Sequence, residues 1–130
     1  MKKIFIYTLT LAFIIMPFAN ADDDITTEET MPEYKQYLVR LLGTRDGWPE
    51  DMTKDEEKIM EKHFYFLKDL VKKKIVLMAG PVFDFKFGLI VFQVESEERI
   101  KEIMKDEPSV VAGIHTWDFS EMRVSLMAEK

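Results

Sequence analysis

An α+β domain with the element order β-α-β-β-α-β is what the sequence predicts, and three observations carry it. Apolar residues recur at helical spacing in two segments, about Lys54 to Lys73 and Ser96 to Asp106. Runs rich in β-branched and aromatic residues flank and separate them. The second and third of these runs are joined too closely for a crossover, so they pair as antiparallel neighbours.

The chain begins with a segment of a different kind. Lys2-Lys3 leads into an apolar run from Ile4 to Met16, followed by Pro17 and then Ala19-Asn20-Ala21. This basic, apolar, small-x-small order reads as a secretory signal peptide over residues 1–21. The apolar run falls short of the roughly 20 residues that a membrane-spanning helix needs. Export to the periplasm or the exterior is therefore expected, with no membrane association after cleavage. Residues 22–35 form an acidic leader: Asp22 to Glu33 hold six acids and no base, a composition that cannot support a packed core.

Residues 36–130 form the expected domain. Tyr37 to Gly43 is apolar on both faces and reads as a covered strand. Gly43, Asp46, Gly47 and Pro49 punctuate the following loop, where Trp48 is either a packing lid or a pocket rim. Thr53 and Glu56 make a capping-box pattern at the head of the first helix. That helix carries Ile59, Met60, His63, Phe64, Phe66, Leu67, Leu70 and Val71 on one stripe, which aims His63 at the core. A strand from Ile75 to Ala79 ends at Gly80-Pro81, and after a loop holding Asp84 a third strand runs from Phe87 to Val94. Ser96 caps the second helix, which buries Ile100, Ile103 and Met104 and stops near Asp106-Glu107-Pro108. Gly113 marks a turn. The last strand or strand pair spans Ile114 to Met127, with a bulge or bend expected at Ser120-Glu121.

This order is the split βαβ arrangement of ferredoxin-like domains, with an antiparallel sheet. Both helices then cover one sheet face, yet the third strand alternates Phe87, Leu89, Val91 with Gly88, Ile90, Phe92 and is apolar on both. The uncovered face predicts a homodimer formed sheet to sheet.

Composition excludes several functions. The chain has 24 acidic and 18 basic side chains and a formal charge of −6, and loss of Lys2 and Lys3 with the signal segment makes this −8. No basic stripe with interleaved aromatics is present, which argues against nucleic acid. Zero cysteines leave no disulfide, thiol nucleophile or thiolate site, and two histidines with unpatterned acids give no metal-ligand spacing, so no metal or cofactor is expected. None of Ser96, Ser109, Ser120 or Ser125 lies in a Gly-x-Ser-x-Gly turn. Asp22-Asp23-Asp24 lacks the glycine of a calcium loop.

What remains is the stretch from His63 to Asp84, where a helix histidine, the Ala79-Gly80-Pro81 turn and a loop carboxylate belong to one helix-strand-loop unit. An imidazole with a pKa near 6.5 exchanges protons near neutrality, and a carboxylate can orient it. The same histidine can equally be a satisfied core residue with a turn beside it. His115 opens the last strand with Trp117 on its own face and Asp118 on the other, and packing or surface exposure accounts for it.

Taken in order, His63, Ala79-Gly80-Pro81, Asp84, Gly88, Ser96, Asp106-Glu107-Pro108-Ser109-Val110 and Ala112-Gly113 resemble the YciI-like, or YCII-related, family over about residues 36–127. The resemblance implies a dimeric α+β barrel, in which two ferredoxin-like subunits close a barrel with pockets beside the sheet. It also implies a histidine-aspartate pair at His63 and Asp84. The chain departs from the family at one position, with Glu107 in place of the aspartate usual before the proline. Cofactor-free isomerisation or elimination on a small organic molecule follows as the enzymatic expectation, with His63 as base and acid and Asp84 orienting it. Trp48, Gly80, Pro81, Phe83 and Glu107 are the expected substrate-binding residues. The alternative is an exported, non-catalytic protein that holds a small hydrophobic ligand between Trp48, Phe83 and Phe85.

Overall fold

A computed structural model describes residues 33–128 of the protein. The expected signal peptide and nearly all of the acidic leader lie outside the described residues. The elements are β1 (Lys35–Gly43), α1 (Lys54–Lys72), β2 (Val76–Val82), β3 (Phe87–Val94), α2 (Glu97–Lys105), α3 (Pro108–Val111) and β4 (His115–Met122). They form the predicted order with one addition, the single-turn helix α3. The sheet is antiparallel throughout, in the order β2-β3-β1-β4 of a ferredoxin-like domain.

Local chemistry sets the helix ends. Thr53 and Glu56 close the capping box reciprocally: Glu56 N donates to Thr53 Oγ1 at 3.2 Å and Thr53 N donates to Glu56 Oε2 at 2.8 Å. At the other end of α1, Lys74 takes a left-handed φ of 59°. Its N–H and that of Ile75 return to the carbonyls of Val71 and Leu70, a Schellman closure that turns the chain into β2. Ser96 caps α2 by accepting from Arg99 N at 3.3 Å.

The core lies between the helices and one face of the sheet. Tyr37, Val39 and Leu41 of β1 and Ile90, Phe92 and Val94 of β3 project toward Leu67 and Leu70 of α1 and Ile100, Ile103 and Met104 of α2. The register explains the alternation, since Phe92 sits opposite Tyr37, Ile90 opposite Val39 and Gly88 opposite Leu41. The opposite face carries Leu38, Leu42, Phe87 and Leu89, all half-buried, and the exposed ion pair of Arg40 and Asp118.

Three expectations are corrected. β2 does not end at Gly80: its pairing with β3 continues through Pro81 to Val82. Proline is tolerated there because β2 is an edge strand. β4 keeps regular register with β1 to Met122, with no bend at Ser120-Glu121, and leaves the strand state after that residue. The α1 stripe is wider than the core that receives it. Leu67 and Leu70 are buried, whereas Phe64 is 60 % exposed and Val71 is also exposed.

Candidate active site

The surplus apolar stripe of α1 does not face bulk solvent alone, because Met60, His63, Phe64, Leu67 and Val71 line a cavity of about 840 Å³. Its other walls are Ala79, Gly80 and Pro81 of β2, Gly88 and Ile90 of β3, Leu41 of β1 and Phe83 of the β2–β3 turn. Trp48 is also part of the lining. The indole is held by Arg45, whose guanidinium stacks 5.8 Å from its ring while binding Glu56 Oε2 at 2.7 Å and Asp51. A Cβ on Gly43 would lie 2.4 Å from Trp48 Cδ1, so glycine at that position is what lets the indole reach the sheet.

The polar centre comes from three elements. His63 projects from α1, and its Nδ1 meets Glu107 Oε1 at 2.6 Å. Glu107 is fully buried, 0 % exposed, at the N-cap of α3. Pro108 follows at the first helical position, where a missing N–H costs nothing. The carboxylate accepts from Ser109 N at 3.2 Å, from Val110 N at 3.0 Å and from the Ser109 hydroxyl. Ser109 Oγ in turn lies 2.9 Å from Nδ1 of His115, the first residue of β4, which is 7 % exposed. Trp48 meets the His115 ring edge-on at 5.2 Å, and the two imidazoles are 6.3 Å apart between centroids.

Proton placement follows from the donors. Burial by itself pushes the Glu107 carboxyl up, but the hydrogen bonds from His63 and Ser109 and the His63 charge outweigh it, and its pKa falls below the ordinary 4.5. An ionised carboxylate only accepts, so His63 donates from Nδ1 and Ser109 donates its single hydroxyl hydrogen. Ser109 Oγ must therefore accept from His115 Nδ1–H. Both imidazoles are fixed with Nδ1 protonated inward. Among the described residues no fully buried side-chain nitrogen or oxygen lacks a partner, so each Nε2 reaches accessible space, and both rings line the cavity. Burial first, and the His63 charge second, hold the His115 pKa below its ordinary 6.5, with Glu107 pulling the other way.

Most of the residues expected from the sequence converge here. His63, Trp48, Gly80, Pro81 and Phe83 all line the cavity, and Glu107 stands behind His63. Asp84 does not join them. It is exposed in the β2–β3 turn, makes no hydrogen bond to His63, and is not among the lining residues although Phe83 and Lys86 are. The carboxylate that orients His63 is that of Glu107. A tight turn at an exposed sheet edge carries Asp84 outward, whereas the N-cap of α3 places Glu107 under α1. Phe85, expected as a wall, is 78 % exposed and is also outside the lining. Ser109 and His115 were absent from the expected site. The Glu107-Pro108-Ser109 triplet carries the signal that finds one of them, an acceptor side chain before a first-turn proline, with the free amides two and three residues on.

No group of three or more His, Asp or Glu side chains among the described residues is arranged to hold a metal, and no described helix is long and apolar enough to cross a membrane. The chain belongs to the YCII-related domain family, whose model matches residues 16–121. No curated protein matches it.

Proposed function

We propose that this YCII-related protein performs cofactor-free proton transfer on a small, largely apolar organic molecule, an isomerisation or elimination, with His63 as the general base and acid. One observation carries this reading: an imidazole whose Nδ1 is held at 2.6 Å by a fully buried carboxylate while its other nitrogen opens on an apolar cavity. A satisfied core histidine needs a hydrogen-bond partner, but it does not need a cavity at its other end. Glu107 keeps the ring in one orientation with Nδ1 occupied, so Nε2 is the nitrogen left to take or give a proton toward whatever the cavity holds. The walls supply Met60, Phe64, Leu67 and Ile90 for an apolar body, and their low polarity strengthens every charge interaction inside.

The uncovered face of the sheet, with Leu38, Leu42, Phe87 and Leu89, fits a second copy of the chain, which would close the α+β barrel of the family. The head of the sequence supports export. An N-terminal mass measurement of secreted protein that begins at Asp22 tests it, and a mature chain retaining Met1 refutes it.

The catalytic test is deuterium uptake from heavy water into cyclohex-3-enone and small unsaturated lactones, followed by proton NMR. Wild-type protein is expected to convert these probes into their conjugated isomers with uptake of deuterium, and His63→Gln to lose about 10²- to 10⁴-fold of that rate, the usual contribution of a positioned acid or base. Exchange that is absent, or unchanged in His63→Gln, sinks the reading. Saturable ligand binding without exchange would then favour a carrier that uses the same cavity for an apolar ligand.

A further inference from the structure

The carboxylate of Glu107 serves two imidazoles, and only one of them is used by the chemistry above. We infer that His115 is a second proton-transfer residue of the same cavity, working against His63 across the bound molecule so that one ring takes a proton while the other gives one. The inference rests on the proposed chemistry of His63 and adds a partner to it.

The geometry carries this. His115 lines the cavity with its Nδ1 hydrogen committed to Ser109 Oγ at 2.9 Å, and Ser109 is committed to Glu107. With Nδ1 occupied, Nε2 is the ring nitrogen left to exchange a proton, as it is in His63. A packing histidine on an apolar face has no need of a buried serine and a buried carboxylate to select its tautomer. The rings are 6.3 Å apart and tilted by 53°, too far to bond one another, and both border the same cavity.

Charge assigns the roles. The groups facing His115 are His63 from α1, Glu107 and Ser109 from α3, and the uncharged Trp48 from the loop before α1. His63 is in direct contact with the carboxylate, whereas His115 reaches it only through Ser109. Burial and a positive His63 both disfavour a cation on His115, so His115 is the ring that acts as base, and His63, bonded directly to the buried carboxylate, is the ring that acts as acid. In the forward step His115 Nε2 takes the proton from the carbon beside a substrate carbonyl, and the C–H electron pair passes into the enolate. His63 Nε2–H then protonates the far carbon of the conjugated system. The substrate ends as the conjugated isomer, His115 carries the proton that His63 lost, and exchange with cavity water restores the starting state. Ser109 and Glu107 are positioning residues throughout.

The test uses full-length protein and cyclohex-3-enone in heavy water, with nitrogen-15 NMR of both imidazoles. His115→Gln is expected to lower isomerisation by about 10²- to 10⁴-fold, and Ser109→Ala to lose the single His115 tautomer while leaving His63 in place. His63→Gln removes the repelling charge, so the His115 titration moves toward higher pH. Isomerisation unchanged in His115→Gln, or a His115 titration indifferent to His63→Gln, overturns the second base while the chemistry of His63 stands. A wild-type protein that exchanges no deuterium into the probe overturns the His63 reading and this one with it.

Discussion

Replacing Glu107 by glutamine tests the whole polar centre with a change of one atom. The wild-type carboxylate accepts four hydrogen bonds, Oε1 from His63 Nδ1 and Ser109 N, and Oε2 from the Ser109 hydroxyl and Val110 N. An amide has one acceptor oxygen and one donor nitrogen. With the nitrogen at Oε1 it faces the Ser109 N–H, and at Oε2 it faces the Val110 N–H. Neither backbone donor can turn away, so one buried N–H loses its acceptor in either orientation. Leaving such a donor unsatisfied costs about 1–3 kcal/mol. With a urea dependence of roughly 1–3 kcal/mol per molar for a small domain, the midpoint of Glu107→Gln falls by about 1 M. Urea unfolding followed by circular dichroism measures it, and an unshifted midpoint refutes the idea that Glu107 caps α3 as an ionised acceptor. The amide cannot act as the ionised partner of His63 in either orientation, so loss of the wild-type carboxylate is also expected to disturb the His63 nitrogen-15 signals.

Other perturbations divide the same structure differently. Asp84→Asn is expected to leave the His63 NMR signals and the urea midpoint unchanged, because Asp84 is exposed and makes no bond to the ring; a moved His63 signal would restore the histidine-aspartate pair. Acid destabilisation should come in two windows. His115 has a lowered pKa, so its contribution is complete above about pH 6.5 and is lost as the pH falls through its folded value, when the unfolded chain binds the proton first. Glu107 is lowered too, and its contribution is complete above about pH 4.5 and lost below that. Unfolding measured from pH 7 to 3 checks this: His115→Gln should flatten the upper limb and Glu107→Gln the lower, and identical wild-type and variant profiles would refute both assignments. Leu38→Glu places a charge at the centre of the uncovered sheet face, between Val91 and Ser120. Light scattering is expected to show a wild-type dimer and a variant monomer, and a wild-type monomer at micromolar concentration would remove the sheet-to-sheet association.

The architecture was legible because its signals are local and periodic. Thr53 and Glu56 announce the head of α1, Ser96 that of α2, and the alternation in Phe87 to Val94 marks a strand that the structure reproduces at both ends. The ends that differ are governed by pairing, a tertiary matter. Gly80 and Pro81 look like a terminator in isolation, but on an edge strand the missing proline donor faces away from the ladder, and β2 runs on to Val82.

The site divides along the same line. His63, Gly80, Pro81 and Trp48 meet at the cavity because each lies on an element whose face or turn the sequence specifies. The partner of His63 was misplaced because partnership depends on how two distant elements meet: 44 residues separate His63 from Glu107, and no spacing rule reaches that far. Asp84 attracted the role by being near in sequence to the Gly80-Pro81 turn, yet a two-stranded turn at an edge exports its tip. Glu107 holds the role because its carboxylate serves the first amides of α3 as N-cap and also reaches His63 of α1. The demand for a cap thus generates the charge that orients His63 and, through Ser109, His115. The orientation of the imidazoles and the capping of α3 consequently rest on the same carboxylate.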